Sequence, residues 1–333
     1  MSQPRVIVGV DGSRAAENAL LWAAGEAQRR SARLVIAYAG DAELMPLPLK
    51  YAAAHSGGPL LAASRRLVSD AGFHCEVDTI CRNQPAVVLL SELGRGAELL
   101  VVGAHGMART CCSSLGSVAY GVVAHAPCSV AVIGPWPPSE TGSVNAGQRR
   151  PVTVGVTANP TCTATLEFAF AEAALRESVV KAVHSWAEAD WSEAAALAML
   201  PRTGQAVRAH HENRLASILV PLRQKYPDIA VELCVSGDPV ARSLADASEG
   251  SSMLVLGCRH PGGPLGPTAA RLVHVSRCPV VIVGNPPVTT GGLPTRELSV
   301  VGEHAVTTPG GATAVSRVEW CWASIVPQTP TPA

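Results

Sequence analysis

Val6 to Asp11 (VIVGVD) returns as Val152 to Thr157 (VTVGVT), 146 residues later, and this duplication restricts the fold more than any other feature. The offset holds through the next stretch, with Leu20 over Leu166, Glu26 over Glu172 and Arg30 over Arg176. It grows to 154 at Pro85 over Pro239 and at Val101-Val102-Gly103 over Val255-Leu256-Gly257, then falls to 150 at Cys128 over Cys278 and Gly134 over Gly284. The second copy has therefore gained eight residues in its middle and lost four before its last helix, as the three offsets require. A chain of 333 residues accommodates two such units, each long enough to bury a core.

Each copy alternates strand and helix. Arg5 to Val10 is an unbroken run of the kind found in a strand buried on both faces. Ala15 to Arg30 carries apolar residues at helical spacing, with Ser13 placed to cap it. Leu34 to Ala39 reads as a strand, Leu60 to Ala71 as a helix stopped by Gly72, and Phe73 to Ile80 as a strand. Pro85 to Leu93 (helix), Glu98 to Val102 (strand), Gly116 to Ala124 (helix) and Ser129 to Ile133 (strand) complete the unit. The expected fold class is α/β, two Rossmann-like parallel-sheet domains in tandem. Their expected bounds are residues 1–134 and 151–284. Between them 135–150, rich in Pro, Gly and Ser, reads as a linker. The tail, 285–333, reads as disordered, and Val318 to Val326 within it is assigned neither strand nor helix.

Charge and composition narrow the function classes. Lys and Arg number 26 against 26 Asp and Glu, so no global field draws the chain to nucleic acid or an anionic membrane. The first residues have no signal-peptide h-region, and the apolar stretch from Val118 to Ile133 is interrupted by His125 and Pro127; a cytoplasmic protein is expected. The ten cysteines show no C-x-x-C pair and no histidine at zinc-ligand spacing. They read as reduced, mostly buried small apolar residues, the adjacent Cys111 and Cys112 being the candidates for redox sensitivity. No metal site is expected.

Ligands of an open α/β sheet bind outside the carboxyl ends of the strands. Two segments of the first copy bring unusual residues there: Gly9-Val10-Asp11-Gly12-Ser13 after the first strand, and Gly103-Ala104-His105-Gly106 followed after nine residues by Gly116-Ser117. Gly103 and Gly106 let backbone amides approach an anion, and Gly116-Ser117 opens a helix whose free N–H groups favour phosphate. Arg109 adds a charge. The chain's three lysines, Lys50, Lys181 and Lys225, lie in no glycine-rich loop, which excludes a Walker P-loop.

On these residues the chain resembles the universal stress protein family, whose ATP-binding members carry G-x2-G-x9-G-[ST]. Gly103, Gly106, Gly116 and Ser117 fit that spacing, and His125-Ala126-Pro127-Cys128-Ser129-Val130 is similar to the family's closing H-A-P-C-P-V. The resemblance covers 4–134 well and 152–284 more loosely. It implies the adenine nucleotide alpha hydrolase-like fold. It also implies that the loop from Gly103 to Ser117 with Arg109 holds the phosphates of ATP, with Mg where present, while Gly9, Val10, Asp11, Tyr38 and Ala39 hold the adenosine. It further implies pairing through the last strand, so Ser129 to Ile133 and Pro279 to Val283 are the expected contact between the two halves. A further homodimer stays open.

Many members have a Gly-Gly pair where this chain has Met107-Ala108-Arg109-Thr110. The second copy departs further: Thr157 replaces the Asp, His260 stands in place of the second glycine, four residues are missing, and Pro267 follows Gly266. It is expected to have lost the ligand. The residues also have plainer readings, Asp11 as a capping residue, the glycines as simple turn residues, Ser117 as an ordinary helix start and Arg109 as a solvated charge. His105, at a variable position between the glycines, is given no catalytic role, and His125 reads as half-buried at a helix end. Cys128 and Cys278 read as core, and Trp22, Trp186 and Trp191 as packing residues. No carboxylate, Cys–His pair or metal cluster lies in the loop at catalytic spacing, so ATP binding in a stress response, with at most slow hydrolysis, is the expected activity. The rivals are an ATP-cleaving enzyme of similar architecture and an interaction module that binds no nucleotide.

Overall fold

The computed structural model describes residues 3–40, 47–106 (47–56 by backbone alone), 115–134, 149–157, 162–187, 204–258 and 265–284. The sequence expectations for Met107–Thr110, Cys111, Cys112, Trp191, His260, Cys321, most of 135–150 and the tail from 285 lie outside those residues.

The first half runs β1 (Arg5–Gly9), α1 (Arg14–Arg29), β2 (Arg33–Ala39), α2 (Leu47–Asp70), β3 (Val77–Arg82), α3 (Ala86–Leu93), β4 (Leu99–Gly103), α4 (Ser117–His125) and β5 (Val130–Ile133). The second repeats the pattern as β6 (Val152–Gly155), α5 (Thr163–Leu175), β7 (Val180–Ser185), α6 (Gly204–Lys225), β8 (Val231–Ser236), α7 (Val240–Ala247), β9 (Met253–Gly257), α8 (Pro267–Val275) and β10 (Val280–Val283). All ten strands form one sheet in the order β3-β2-β1-β4-β5-β10-β9-β6-β7-β8. Every pairing is parallel except β5 with β10, which run antiparallel with Val130 opposite Ile282 and Val132 opposite Val280. The two halves are therefore joined strand to strand along the segments that the family resemblance implies.

Helices cover both faces, as a parallel sheet requires. One core lies under α1, α2, α5 and α6 and contains Leu20, Leu34, Phe170 and Leu219; the other lies under α3, α4, α7 and α8 and contains Ile7, Leu89, Leu100 and Leu272. Each core continues across the seam. The fully buried run Val6-Ile7-Val8 contributes to both faces.

Two expected boundaries move. Helix α2 begins at Leu47, not Leu60, running through Gly57, Gly58 and Pro59. A reason is visible at Gly57, where a Cβ would lie 2.6 Å from Cys81 Sγ and 2.8 Å from Tyr38 Cδ1, so only glycine lets the helix sit this close to the sheet. Strand β3 begins at Val77 and extends to Arg82 opposite Ala39, while Phe73 packs against the core before the strand starts. The cysteines also differ from expectation. Among the seven described, Cys162 and Cys278 are buried, Cys75, Cys128, Cys234 and Cys258 are half-buried, and Cys81 is exposed. Cys81 and Cys234 lie on the two edge strands, which neighbours cover on one side only. Cys128 is thus less enclosed than a core residue. His125 is exposed, its Nδ1 lying 2.8 Å from the carbonyl of Gly121 on the outer surface of α4. Trp22 is a core residue.

Candidate functional site

The strand order reverses between β1 and β4, and both glycine-bearing segments leave the sheet at that switch point. After β1 the chain turns through Gly12, whose φ of 84° lies in the left-handed region. The Ser13 amide donates to Asp11 Oδ1 at 2.9 Å, closing an Asx turn. Ser13 then caps α1 as expected, its Oγ accepting from the Ala16 amide at 3.2 Å. The same hydroxyl reaches the His105 carbonyl at 3.4 Å, tying the two segments together.

The glycines are needed for approach. A Cβ on Gly103 would lie 2.8 Å from the carbonyl carbon of Ala15, so the end of β4 passes directly under the first turn of α1. One on Gly106 would lie 2.8 Å from Asp11 Oδ2. Gly116 donates its amide to the Ala104 carbonyl at 2.8 Å and stands as N-cap of α4 with φ −57° and ψ 146°. Among the described residues no side chain caps α4, and no acidic residue lies in its first turn, which leaves its amides open to an anion. Ser117 is exposed at the first helical position.

The sequence-derived residues thus fall into one crevice in part. Asp11, Gly103, Gly106, Gly116 and Ser117 converge on it. Gly9 pairs with Ala37, and the Val10 amide donates to the Ala37 carbonyl at 2.9 Å, so Val10 is a buried wall residue. Tyr38 and Ala39 end the neighbouring β2, opposite Cys81 and Arg82. Arg109 lies outside the described residues.

A family model described as the universal stress protein family matches residues 4–134 and again 148–284. The chain belongs to the universal stress protein family. The universal stress protein Rv2623 of Mycobacterium tuberculosis is 30% identical over 292 residues, covering 83% of this chain and 95% of that one. A second relative from the same organism, Rv2005c, is 29% identical over 300 residues, covering 85% and 99%. Among solved structures, a universal stress protein from Archaeoglobus fulgidus shares the fold with a TM-score of 0.62 at 13% identity, over 84% of this chain and 96% of that one. Among the described residues no helix is long and apolar enough to cross a membrane.

In the second universal stress protein repeat the corresponding positions carry other side chains. Thr157, at the repeat position of Asp11, is exposed. His184 takes the position of Tyr38 and is buried, with Nδ1 3.0 Å from the Val156 carbonyl and Nε2 3.1 Å from His211 Nδ1. The Trp186 ring stacks on His211 with centroids 5.2 Å apart. This His-His-Trp cluster was not foreseen; the eight-residue gain in the middle of the second copy hides the alignment that brings His211 beside His184.

Proposed function

We propose that the first half binds ATP, with Mg2+ accompanying the phosphates, and that the second half binds no nucleotide and serves as the structural partner. The observation that carries the reading is the passage of Gly106 beside the Asp11 carboxylate at the switch point, with the uncapped start of α4 opening into the same crevice. Asp11, Tyr38 and Ala39 with Gly9 and Val10 would hold the adenosine. The amides at Gly103, Gly106 and Gly116, the Ser117 hydroxyl and Arg109 would hold the phosphates. Binding with at most slow hydrolysis fits a carboxylate already engaged by the Ser13 amide. The domain bounds that go with this reading are 1–134 and 151–284. Six free thiols among the described residues, Cys75, Cys81, Cys128, Cys162, Cys234 and Cys278, accord with a reducing compartment, the cytoplasm, and a stress response is the corresponding role.

Calorimetric titration of the full chain with Mg-ATP tests this. One site per chain is expected, lost in Gly106→Val, whose side chain would crowd Asp11. Two sites would overturn the reading of the second half, and no binding at millimolar ATP would overturn the nucleotide reading altogether.

A further inference from the structure

The glycine loop of the first half does not stand alone: the second half reaches it. His105, between Gly103 and Gly106, lies beside His274 in the last turn of α8, with ring centroids 5.7 Å apart and planes tilted by 41°. Nε2 of His105 is buried and has no hydrogen-bond partner among the described residues. A buried ring nitrogen left unpaired is costly, and a hydrogen bond or a bound ion would remove that cost.

We propose that His105 and His274 form a two-imidazole site for a divalent transition-metal ion of the Zn2+ class, bridging the two halves. Two imidazoles on one tetrahedral zinc, each bound at about 2.0–2.1 Å, have ring centres about 5.2 Å apart. The observed centroid separation of 5.7 Å lies close to that value. Imidazole nitrogen selects zinc, copper, nickel or cobalt over the hard cations that accompany phosphates, so this is a different ion from any Mg2+ of a nucleotide. Burial, followed by the facing His105, lowers the pKa of His274. Among the described residues no group of three or more His, Cys, Asp or Glu gathers for a metal, and in the proposed site water or an incoming anion takes the remaining coordination positions. Such a site is exchangeable, unlike a closed structural one. An ion there would clamp the glycine loop to α8 and give the second half a direct hold on it. The two histidines lie on different halves, and no local spacing in the sequence could have paired them.

The test is a Zn2+ titration of the full, nucleotide-free chain in a non-chelating reductant, so that its outcome is independent of the ATP reading. His105→Gln and His274→Gln are each expected to bind one ion fewer than the wild type. His125→Gln, altering an exposed histidine on α4, should bind as many as the wild type. Unchanged stoichiometry and affinity in either of the first two variants would overturn the shared site. A second measurement needs no variant: Zn2+ should protect His105 and His274 together from diethyl pyrocarbonate, read by mass spectrometry. Modification of the two rings at the same rate with and without Zn2+ would equally overturn it.

Discussion

Arg30, at the C-cap of α1, bonds the carboxylate of Glu172 on α5, and the repeat returns the contact: Arg176, at the C-cap of α5, bonds Glu26 of α1 at 2.5 Å. Each arginine also holds the glutamate one turn before it on its own helix, Arg30 with Glu26 and Arg176 with Glu172. The four side chains close a pseudo-symmetric ring between the halves, and all are buried, the most accessible being 8% exposed. Arg29 at 2.7 Å from Glu26 and Glu98 at 3.7 Å from Arg30 lie at its margin. Charges in that position cannot be shielded by water, so the ring specifies how α1 and α5 meet while the antiparallel β5–β10 pair joins the sheets.

Removing one member should therefore be worse than removing all four. Glu172→Ala leaves Arg30 and Arg176 buried with one carboxylate between them, and a loss of about 3–5 kcal/mol in unfolding free energy is expected. Replacing Glu26 and Glu172 by Leu together with Arg30 and Arg176 by Met removes the unpaired charge and should recover most of that loss. Urea unfolding of the three proteins measures it. A fourfold variant less stable than Glu172→Ala would show that the ring contributes net stability.

The same ring predicts an acid limb. Burial alone would raise the Glu26 pKa, but Arg176, Arg30 and Arg29 outweigh it and hold the carboxyl below its ordinary value of 4.5. A carboxyl whose folded pKa is depressed contributes stability that is fully present above its unfolded pKa and is lost as pH falls through the folded one. Stability from this group should thus be flat from pH 7 down to about pH 5 and decline below it. Glu26→Gln should start less stable at pH 7 and lose less between pH 5 and pH 3. Denaturant midpoints across that range decide the point.

How much of this was legible in the sequence depends on whether a signal is local. The strand alternation and the Ser13 cap follow from residues close together in the chain, the repeat follows from comparing one half with the other, and the seam strands follow from the family resemblance. Glu26 over Glu172 and Arg30 over Arg176 were visible as matched pairs, yet charged residues on a helix normally face solvent, and only the β5–β10 seam turns these four toward each other. The start of α2 was missed because Gly57, Gly58 and Pro59 signal a break, while the close approach to Tyr38 and Cys81 that explains Gly57 is tertiary. In the candidate site the glycine spacing was readable. The second-half cluster of His184, His211 and Trp186, and the approach of His274 to His105, were not, because each joins residues from separate elements.

Two glycines should respond to alanine with opposite signs. At Gly103 the new methyl would meet the Ala15 carbonyl carbon at 2.8 Å and the Ala15 Cβ at 3.0 Å, and backbone must move to admit it. Gly103→Ala is expected to cost about 1–3 kcal/mol. At Gly25, inside α1, the methyl would meet only the Phe73 ring edge at 3.5 Å, an ordinary contact. Gly25→Ala should stabilise by about 0.5–1 kcal/mol, because glycine in a helix interior costs that much relative to alanine. Thermal melts of both variants against wild type provide the comparison. Destabilisation by both would mean that α1 tolerates no adjustment against its neighbours.

The thiols should separate by accessibility and ionisation. Burial pushes the Cys278 thiol up to about 12, with only partial relief from a hydrogen bond to Ser248, and pushes Cys128 up to about 11. Alkylation proceeds through the thiolate, so at pH 8 both should be inert in the folded chain. Cys81 is exposed on edge strand β3. With iodoacetamide at pH 8, mass spectrometry should find Cys81 labelled while Cys128 and Cys278 stay unmodified, and all three labelled once urea unfolds the protein. Cys278 lies two residues before β10, so its labelling rate also reports opening of the seam. Glu172→Ala, which weakens the ring on the opposite face of the sheet, should therefore accelerate labelling of Cys278 more than that of Cys81. Equal acceleration at both positions would mean that the variant loosens the fold generally rather than the joint between the halves.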